Sequence, residues 1–202
     1  VSASQAGVKE KEIFSREELI KLFDLKRVQK GGAVFNEEKL DWLNSQFIKK
    51  LTTPELLNRI RTVTALPDVI PESQLMKILA TVRDRIKKLS DFNQLAGFYF
   101  ALPEYPIELL IWKTTEPKKI LAKLNMAHDI LKNIDSRNFI KDSLMASLNP
   151  LAESLGRGEV LWPLRAALSG QEASPGPFEI MAALGKEESL LRIRQAIQKF
   201  SK

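Results

Sequence analysis

The sequence predicts an all-α fold. Apolar residues recur three or four positions apart through most of the 202 residues, so they would line one face of each helix. No segment shows the sustained alternation of apolar and polar residues that indicates a strand. Caps, prolines and glycines divide the chain at irregular intervals, which excludes a repeat of fixed period.

Helix starts in the first half of the chain are marked by residues that favour N-caps or by proline. A cap side chain accepts a hydrogen bond from the first turn, and proline fits there because it lacks an N–H group. These predicted starts are Ser15, Asn36, Thr53, Pro71 and Ser90. The apolar stripe after Pro71 continues to Leu89, so we expect one helix to carry Arg85 and Lys88 at exposed positions.

The second half of the chain repeats this punctuation. Its predicted helices begin at Pro117, at Ser136, after Gly158, at Phe178 and at Lys186. The segment between residues 168 and 178 contains two prolines and two glycines, which favour a preorganised loop. Free backbone N–H and C=O groups in such a loop suit the reading of unstacked RNA bases. An ordinary helix–helix connector is the alternative at this length.

Composition excludes several classes of site. The chain has no cysteine and one histidine, so disulfides, cysteine nucleophiles and multi-histidine metal sites are not expected. The histidine, His128, precedes Asp129, but adjacent residues on a helix do not face each other. Neither a nucleophile elbow nor a glycine-rich phosphate loop occurs. The longest apolar runs are far shorter than a membrane span, which needs about 20 residues.

The net charge of +6 suggests a polyanionic partner. The cations are clustered near helix ends and chain breaks, where they could contact phosphate or base edges. The alternative is that they are solvated and favoured there by the helix dipole. The clustered cations are Lys26, Arg27, Lys30, Arg59, Arg61, Arg83, Arg85, Lys87, Lys88, Arg165, Arg192 and Arg194.

Two long motifs carry a family resemblance. The first begins with FSREELIKLF at residues 14–23 and continues with GAVFNEEKLDWLN at residues 32–44. The second is PLRAALSGQEASPGPFE at residues 163–179, followed by LGKEE at residues 184–188 and by Arg192. In this order and approximate spacing, they resemble bacterial-type glutamyl-tRNA synthetases after the catalytic core. The resemblance spans nearly the whole chain.

The resemblance implies an elongated arrangement of three parts. Residues 1–50 would form the end of the region that contacts the tRNA stem. Residues 51–118 and 119–202 would form two helical, cage-like anticodon-binding domains. The family's HIGH-like and KMSKS-like motifs are absent from this sequence, so this chain should be inactive alone, with ATP and magnesium used by a missing catalytic half.

The resemblance also implies roles for individual residues. Arg165 and Ser174, with Pro177 beside them, align with positions that read the first and middle anticodon bases. Arg85 aligns with an arginine that checks the third base. Further tRNA contacts are expected at Lys26, Arg27, Lys30, Arg83, Lys88 and Arg192.

The expected partner is therefore glutamate tRNA, bound by a monomer in the cytoplasm. No membrane, DNA or metal partner is expected, and no cofactor is expected in this chain. The alternative from another class is an all-helical protein-interaction scaffold whose basic patches only interact with solvent.

Overall fold

The computed structural model describes residues 13–25 and 35–200. These residues form α-helices and short 3₁₀ turns without any strand, so the all-α prediction is confirmed. The α-helices of this part of the chain are α1 (Arg16–Leu22), α2 (Glu37–Lys50), α3 (Thr53–Arg61), α4 (Glu72–Val82), α5 (Asp91–Phe100), α6 (Pro117–Lys132), α7 (Lys141–Leu155), α8 (Arg157–Ser169), α9 (Pro177–Leu184) and α10 (Lys186–Lys199).

Two of the predicted N-caps are confirmed and a third lies one residue earlier. Ser15 and Glu18 exchange the two hydrogen bonds of a capping box, and the Asn36 side chain accepts from the first turn of α2. The cap of α3 is Thr52 rather than the predicted Thr53. Thr52 is the cap because its N–H donates to the carboxylate of Glu55, three residues later, at 2.7 Å. This bond completes a second capping box.

The fourth helix is shorter than the apolar stripe predicts. α4 ends at Val82, and a 3₁₀ turn over Arg83–Arg85 follows. The Asp91 carboxylate accepts hydrogen bonds from the N–H groups of Lys87 and Lys88 at 2.9 and 2.8 Å, which holds a turn instead of further helix. The buried Ile86 continues the apolar pattern without belonging to a helix.

The start of α7 also differs from the prediction. Asp135, not Ser136, is the cap, and its carboxylate accepts from the Arg137 N–H at 2.8 Å. This cap begins only a 3₁₀ turn over Ser136–Asn138. The α-helix starts at Lys141, and Ile140 before it is 53% exposed.

One apolar core runs through the described helices from Ile48 in α2 to Ala196 in α10. It crosses the predicted boundary near residue 118, because α6, α8 and α10 pack together beside the segment Ile107–Leu110. The three-part division remains a prediction, and the core shows no break at that boundary. None of the described helices has the length and hydropathy that a membrane span needs.

Helix α4 packs antiparallel to α9. The Gln74 side chain, in the first turn of α4, donates to the Ala183 carbonyl in the last turn of α9 at 3.2 Å. At the other end, Thr81 and Glu179 line the same cleft of about 320 Å³. The carboxyl end of α4 and the amino end of α9 therefore lie at the same end of the helix pair.

The chain's two tyrosines are both buried beside this core. The Tyr99 hydroxyl donates to Thr81 Oγ1 at 2.8 Å, whereas the Tyr105 hydroxyl has no hydrogen-bond partner among the described residues. Burial raises the pKa of both phenols, that of Tyr105 to about 12. The neutral phenol is therefore the form that the folded chain retains.

We predict that the folded protein shows almost no tyrosinate absorbance near 295 nm at about pH 11, whereas the urea-unfolded chain ionises near pH 10. A raised folded pKa contributes stability below the unfolded pKa, and this contribution is lost as the pH rises through the folded value. Circular dichroism at the same pH verifies that the chain is folded. A transition near pH 10 in the folded protein would contradict the packing of both rings.

Candidate nucleic-acid interface

The loop between α8 and α9, residues 170–176, is held tightly where it leaves α8. The buried Ser169 hydroxyl donates to the Arg165 carbonyl at 2.8 Å and accepts from the Gln171 N–H at 3.2 Å. The Gly170 N–H donates to the Ala166 carbonyl at 2.7 Å. These bonds satisfy the end of the helix and set the direction in which the loop departs.

Gly170 is required by both its backbone angle and its surroundings. Its φ is 63°, in the left-handed region. A Cβ at this position would lie 2.8 Å from Pro103 Cγ and 3.1 Å from Tyr105 Cδ1. The loop therefore turns directly against the segment that follows α5.

Arg165 bridges the start and the middle of this loop. Its Nη2 donates to the Glu172 carbonyl at 2.8 Å, and its guanidinium carbon lies 4.5 Å from the centre of the Trp162 ring. Burial lowers the pKa of the guanidinium, which stays charged at neutral pH because arginine normally titrates above 12. The remaining N–H groups of this side chain have no protein partner in the described part of the chain.

Trp162 belongs to an aromatic pair that sequence reasoning missed. Its Nε1 donates to the Leu109 carbonyl at 2.9 Å, and its ring lies 5.2 Å from that of Trp112. Trp112 fits because Gly158, one turn before Trp162, has no side chain: a Cβ there would lie 2.5 Å from Trp112 Cε2. In the sequence, a glycine four residues before Trp162 on the same helix indicates room for a ring beside that tryptophan. The spacing does not indicate that the second ring is Trp112.

The middle of the loop presents unpaired backbone donors. Across the described residues, the N–H groups of Glu172, Ala173 and Ser174 have no hydrogen-bond partner. Ser174 is half-buried, and its hydroxyl donates to the Pro175 carbonyl at 3.3 Å. Pro177 is buried as the first residue of α9, and its predicted place beside the bases read by Arg165 and Ser174 stays a prediction.

Arg83 and Arg85 occupy the same 3₁₀ turn but differ in their contacts. Arg83 donates to the Lys49 carbonyl at 3.1 Å, to Thr53 Oγ1 at 3.2 Å and to the Leu51 carbonyl. It therefore fastens the end of α2 and is not the free cation that the clustering suggests. Arg85 is exposed, and no described residue pairs with it.

Two other expected contacts have protein partners. Lys88 is exposed and lies 3.2 Å from an Asp41 carboxylate oxygen, whose hydrogen bond raises the pKa of the lysine. Arg192 is only 2% exposed and donates to three backbone carbonyls. This burial gives no support to the expected tRNA contact at Arg192. Lys26, Arg27 and Lys30 lie outside the described residues.

The structure brings the Arg83–Arg85 turn and the loop 170–176 to one end of the α4–α9 pair. The turn follows the carboxyl end of α4, and the loop precedes the amino end of α9. This end combines an exposed arginine, a partly exposed arginine and unpaired backbone donors. In the described ranges, no three histidine or carboxylate side chains group into a metal site.

A known protein family matches most of the chain. Residues 35–197 match the anticodon binding domain family. Among similar proteins, a glutamate–tRNA ligase of Clostridium acetobutylicum is 35% identical over 95% of this chain. One of Dehalococcoides mccartyi is 34% identical over 94%. The chain spans about two fifths of the length of these relatives, 40% and 41% respectively.

The fold is similar to solved glutamate–tRNA ligases. A crystal structure from Elizabethkingia meningosepticum, in complex with its amino acid, superposes with a TM-score of 0.81 at 31% identity. It covers 93% of this chain, which corresponds to 37% of the ligase. The enzyme from Elizabethkingia anophelis has a TM-score of 0.77 at the same identity and coverage.

We predict opposite effects of alanine at two glycines. Gly170→Ala should lower the free energy of unfolding by about 1–3 kcal/mol, because of the left-handed backbone and the contact with Pro103. Gly97→Ala should raise it by about 0.5–1 kcal/mol, because its Cβ meets nothing within 4 Å and alanine favours the helix. Urea unfolding measures both, and a Gly170→Ala variant as stable as the parent would refute the tight turn.

We predict that Arg83→Met lowers the free energy of unfolding by about 1–2 kcal/mol, because two carbonyls at the end of α2 and Thr53 Oγ1 at the start of α3 lose their donor. The matched Arg85→Met should change it by less than about 0.5 kcal/mol, since Arg85 has no described partner. Thermal unfolding by circular dichroism separates the two variants. Equal losses of stability would show that Arg83 does not stabilise the fold more than Arg85 does.

Proposed function

Since the chain belongs to the anticodon binding domain family, we propose that it binds the anticodon loop of glutamate tRNA within a glutamate–tRNA ligase. The observation that carries the proposal is the placement of loop 170–176 and the Arg83–Arg85 turn at one end of the α4–α9 pair. The similar proteins named glutamate–tRNA ligase supply the identity of the tRNA in this proposal.

Loop 170–176 suits the recognition of unstacked bases. Arg165 supplies charged N–H donors at one side, and the backbone of residues 172–174 supplies neutral donors beside it. Base edges offer acceptors in positions that differ between the four bases, so fixed donors discriminate among them. Because the loop is already held by Ser169 and Gly170, little conformational entropy is lost on binding.

Arg85 supplies the second element of the proposed site. An exposed arginine without a protein partner can fork onto a base edge or onto a phosphate. Its position beyond α4 would let it contact a different nucleotide from the one at Arg165. We assign the first and middle anticodon bases to Arg165 and Ser174, and the third base to Arg85.

The remainder of the ligase would perform the chemistry. We propose that ATP, magnesium and glutamate are used there, in the cytoplasm, while this chain selects the tRNA. Helix α1 has no buried residue, and Leu40 and Phe47 on α2 are about half exposed. We propose that these apolar faces pack against the rest of the ligase, because exposed patches of this kind mark contact surfaces.

We predict that Arg85→Ala and Arg165→Ala each weaken binding of glutamate tRNA by about 1–3 kcal/mol and reduce discrimination against anticodon-substituted tRNA. A lost base contact produces both effects, because binding energy and selectivity come from the same hydrogen bonds. Filter binding or fluorescence titration at fixed salt gives the affinities.

Lys119→Ala is the matched control. Lys119 is an exposed cation in the first turn of α6, and among the described residues its one ion-pair partner is Glu116 at 3.6 Å. Its removal should change affinity slightly and leave discrimination unchanged. Equal affinity of the parent chain for intact and anticodon-substituted tRNA would overturn the proposed function, whereas unchanged discrimination in both arginine variants would overturn only the assigned residues.

A further inference from the structure

Arg192 is a buried arginine at the junction of three helices. It lies on α10, and its Nη1 donates to the Leu168 carbonyl on α8 and the Phe98 carbonyl on α5, both at 2.8 Å. Its Nη2 donates to the Tyr99 carbonyl at 3.3 Å. The Glu188 carboxylate, one turn earlier on α10, accepts from Nε at 2.6 Å.

These acceptors lie at the carboxyl ends of two helices. The last carbonyls of a helix have no partner within the helix and carry its negative dipole end. Phe98 and Tyr99 are in the last turn of α5, and Leu168 is in the last turn of α8. One guanidinium thus satisfies both helix ends, and Glu188 compensates the charge that the core encloses.

Short chains of contacts connect this guanidinium to both candidate contact elements, loop 170–176 and the Arg83–Arg85 turn. Leu168 precedes Ser169, which holds the start of loop 170–176. Tyr99 donates through its hydroxyl to Thr81 in the last turn of α4, directly before the Arg83–Arg85 turn. The guanidinium therefore contacts α8, which supplies Arg165, and is linked to α4, which precedes Arg85, through Tyr99 on α5.

We propose that Arg192 is a positioning residue for anticodon recognition, which sets the spacing between loop 170–176 and the Arg85 turn without contacting RNA. The inference rests on the proposed function. Lysine cannot replace arginine here, because a single ammonium cannot reach three carbonyls and a carboxylate in the fixed fork geometry of a guanidinium. The residue therefore affects which tRNA is accepted in addition to stability.

The chain offers a matched buried cation that is remote from the loop. Lys123 on α6 is 9% exposed and donates to the Leu155 carbonyl at the end of α7 at 3.1 Å and to Glu159. Glu159 lies in the first turn of α8, ten residues before Ser169, so roughly 15 Å of helix separates it from the loop. Removal of this cation costs stability without disturbing either contact element.

The experiment compares Arg192→Lys and Arg192→Met with Lys123→Met in two measurements. The first is the ratio of dissociation constants for anticodon-substituted and intact glutamate tRNA. The second is amide hydrogen exchange of peptides that cover residues 166–176.

We expect Arg192→Lys to lower the ratio of dissociation constants by roughly tenfold, the size of one lost base contact, and to speed exchange in the loop. Lys123→Met should lower the melting temperature but keep the parent ratio and the parent exchange of the loop.

The outcomes distinguish a failure of the positioning role of Arg192 from a failure of the proposed function. If Arg192→Lys keeps both the parent ratio and the parent exchange, the positioning role is overturned. A ratio of one for the parent chain overturns the proposed function, and the exchange data then decide alone whether Arg192 positions the loop. If Arg192→Met does not fold, Arg192→Lys supplies the comparison. A Lys123→Met variant that loses the ratio equally would assign the effect to general destabilisation and refute the inference.

Discussion

The antiparallel packing of α4 on α9 determines where the Arg83–Arg85 turn lies relative to loop 170–176. The two helices share the apolar core, Gln74 joins them by a hydrogen bond at one end, and Thr81 and Glu179 line one cleft at the other. Residues far apart in the chain thereby reach the same end of the molecule. A change in the register of this helix pair would displace the Arg85 turn relative to loop 170–176 by about 1.5 Å for each residue of slip along the axis.

Some cations in this chain stabilise the fold, whereas others lie exposed on its surface. Arg83, Lys123 and Arg192 all donate to carbonyls at the carboxyl ends of helices. Such carbonyls need donors, and a cation also interacts favourably with the dipole. The net charge of +6 is therefore not a measure of an RNA-binding surface, because part of it lies inside or against the fold.

Local signals in the sequence predicted much of the fold and fewer details of the site. Capping residues and apolar spacing predicted the helices because both act within one or two turns. They misplaced the end of α4, since the turn there depends on the Asp91 carboxylate. The burial of Arg192 was missed because its acceptors lie on α5 and α8. Loop 170–176 was selected as a candidate from its prolines, its glycines and the family resemblance, and its contact with RNA bases stays a prediction.

A nuclease or hydroxyl-radical footprint of glutamate tRNA bound to this chain shows which part of the tRNA the α4–α9 end contacts. Both contact elements lie at this one end, so protection should be confined to the anticodon loop and its adjoining stem. The protection should disappear in Arg165→Ala at concentrations that saturate the parent chain. Protection centred on the acceptor stem, or uniform weak protection along the tRNA, would show that this end of the helix pair does not bind the anticodon loop.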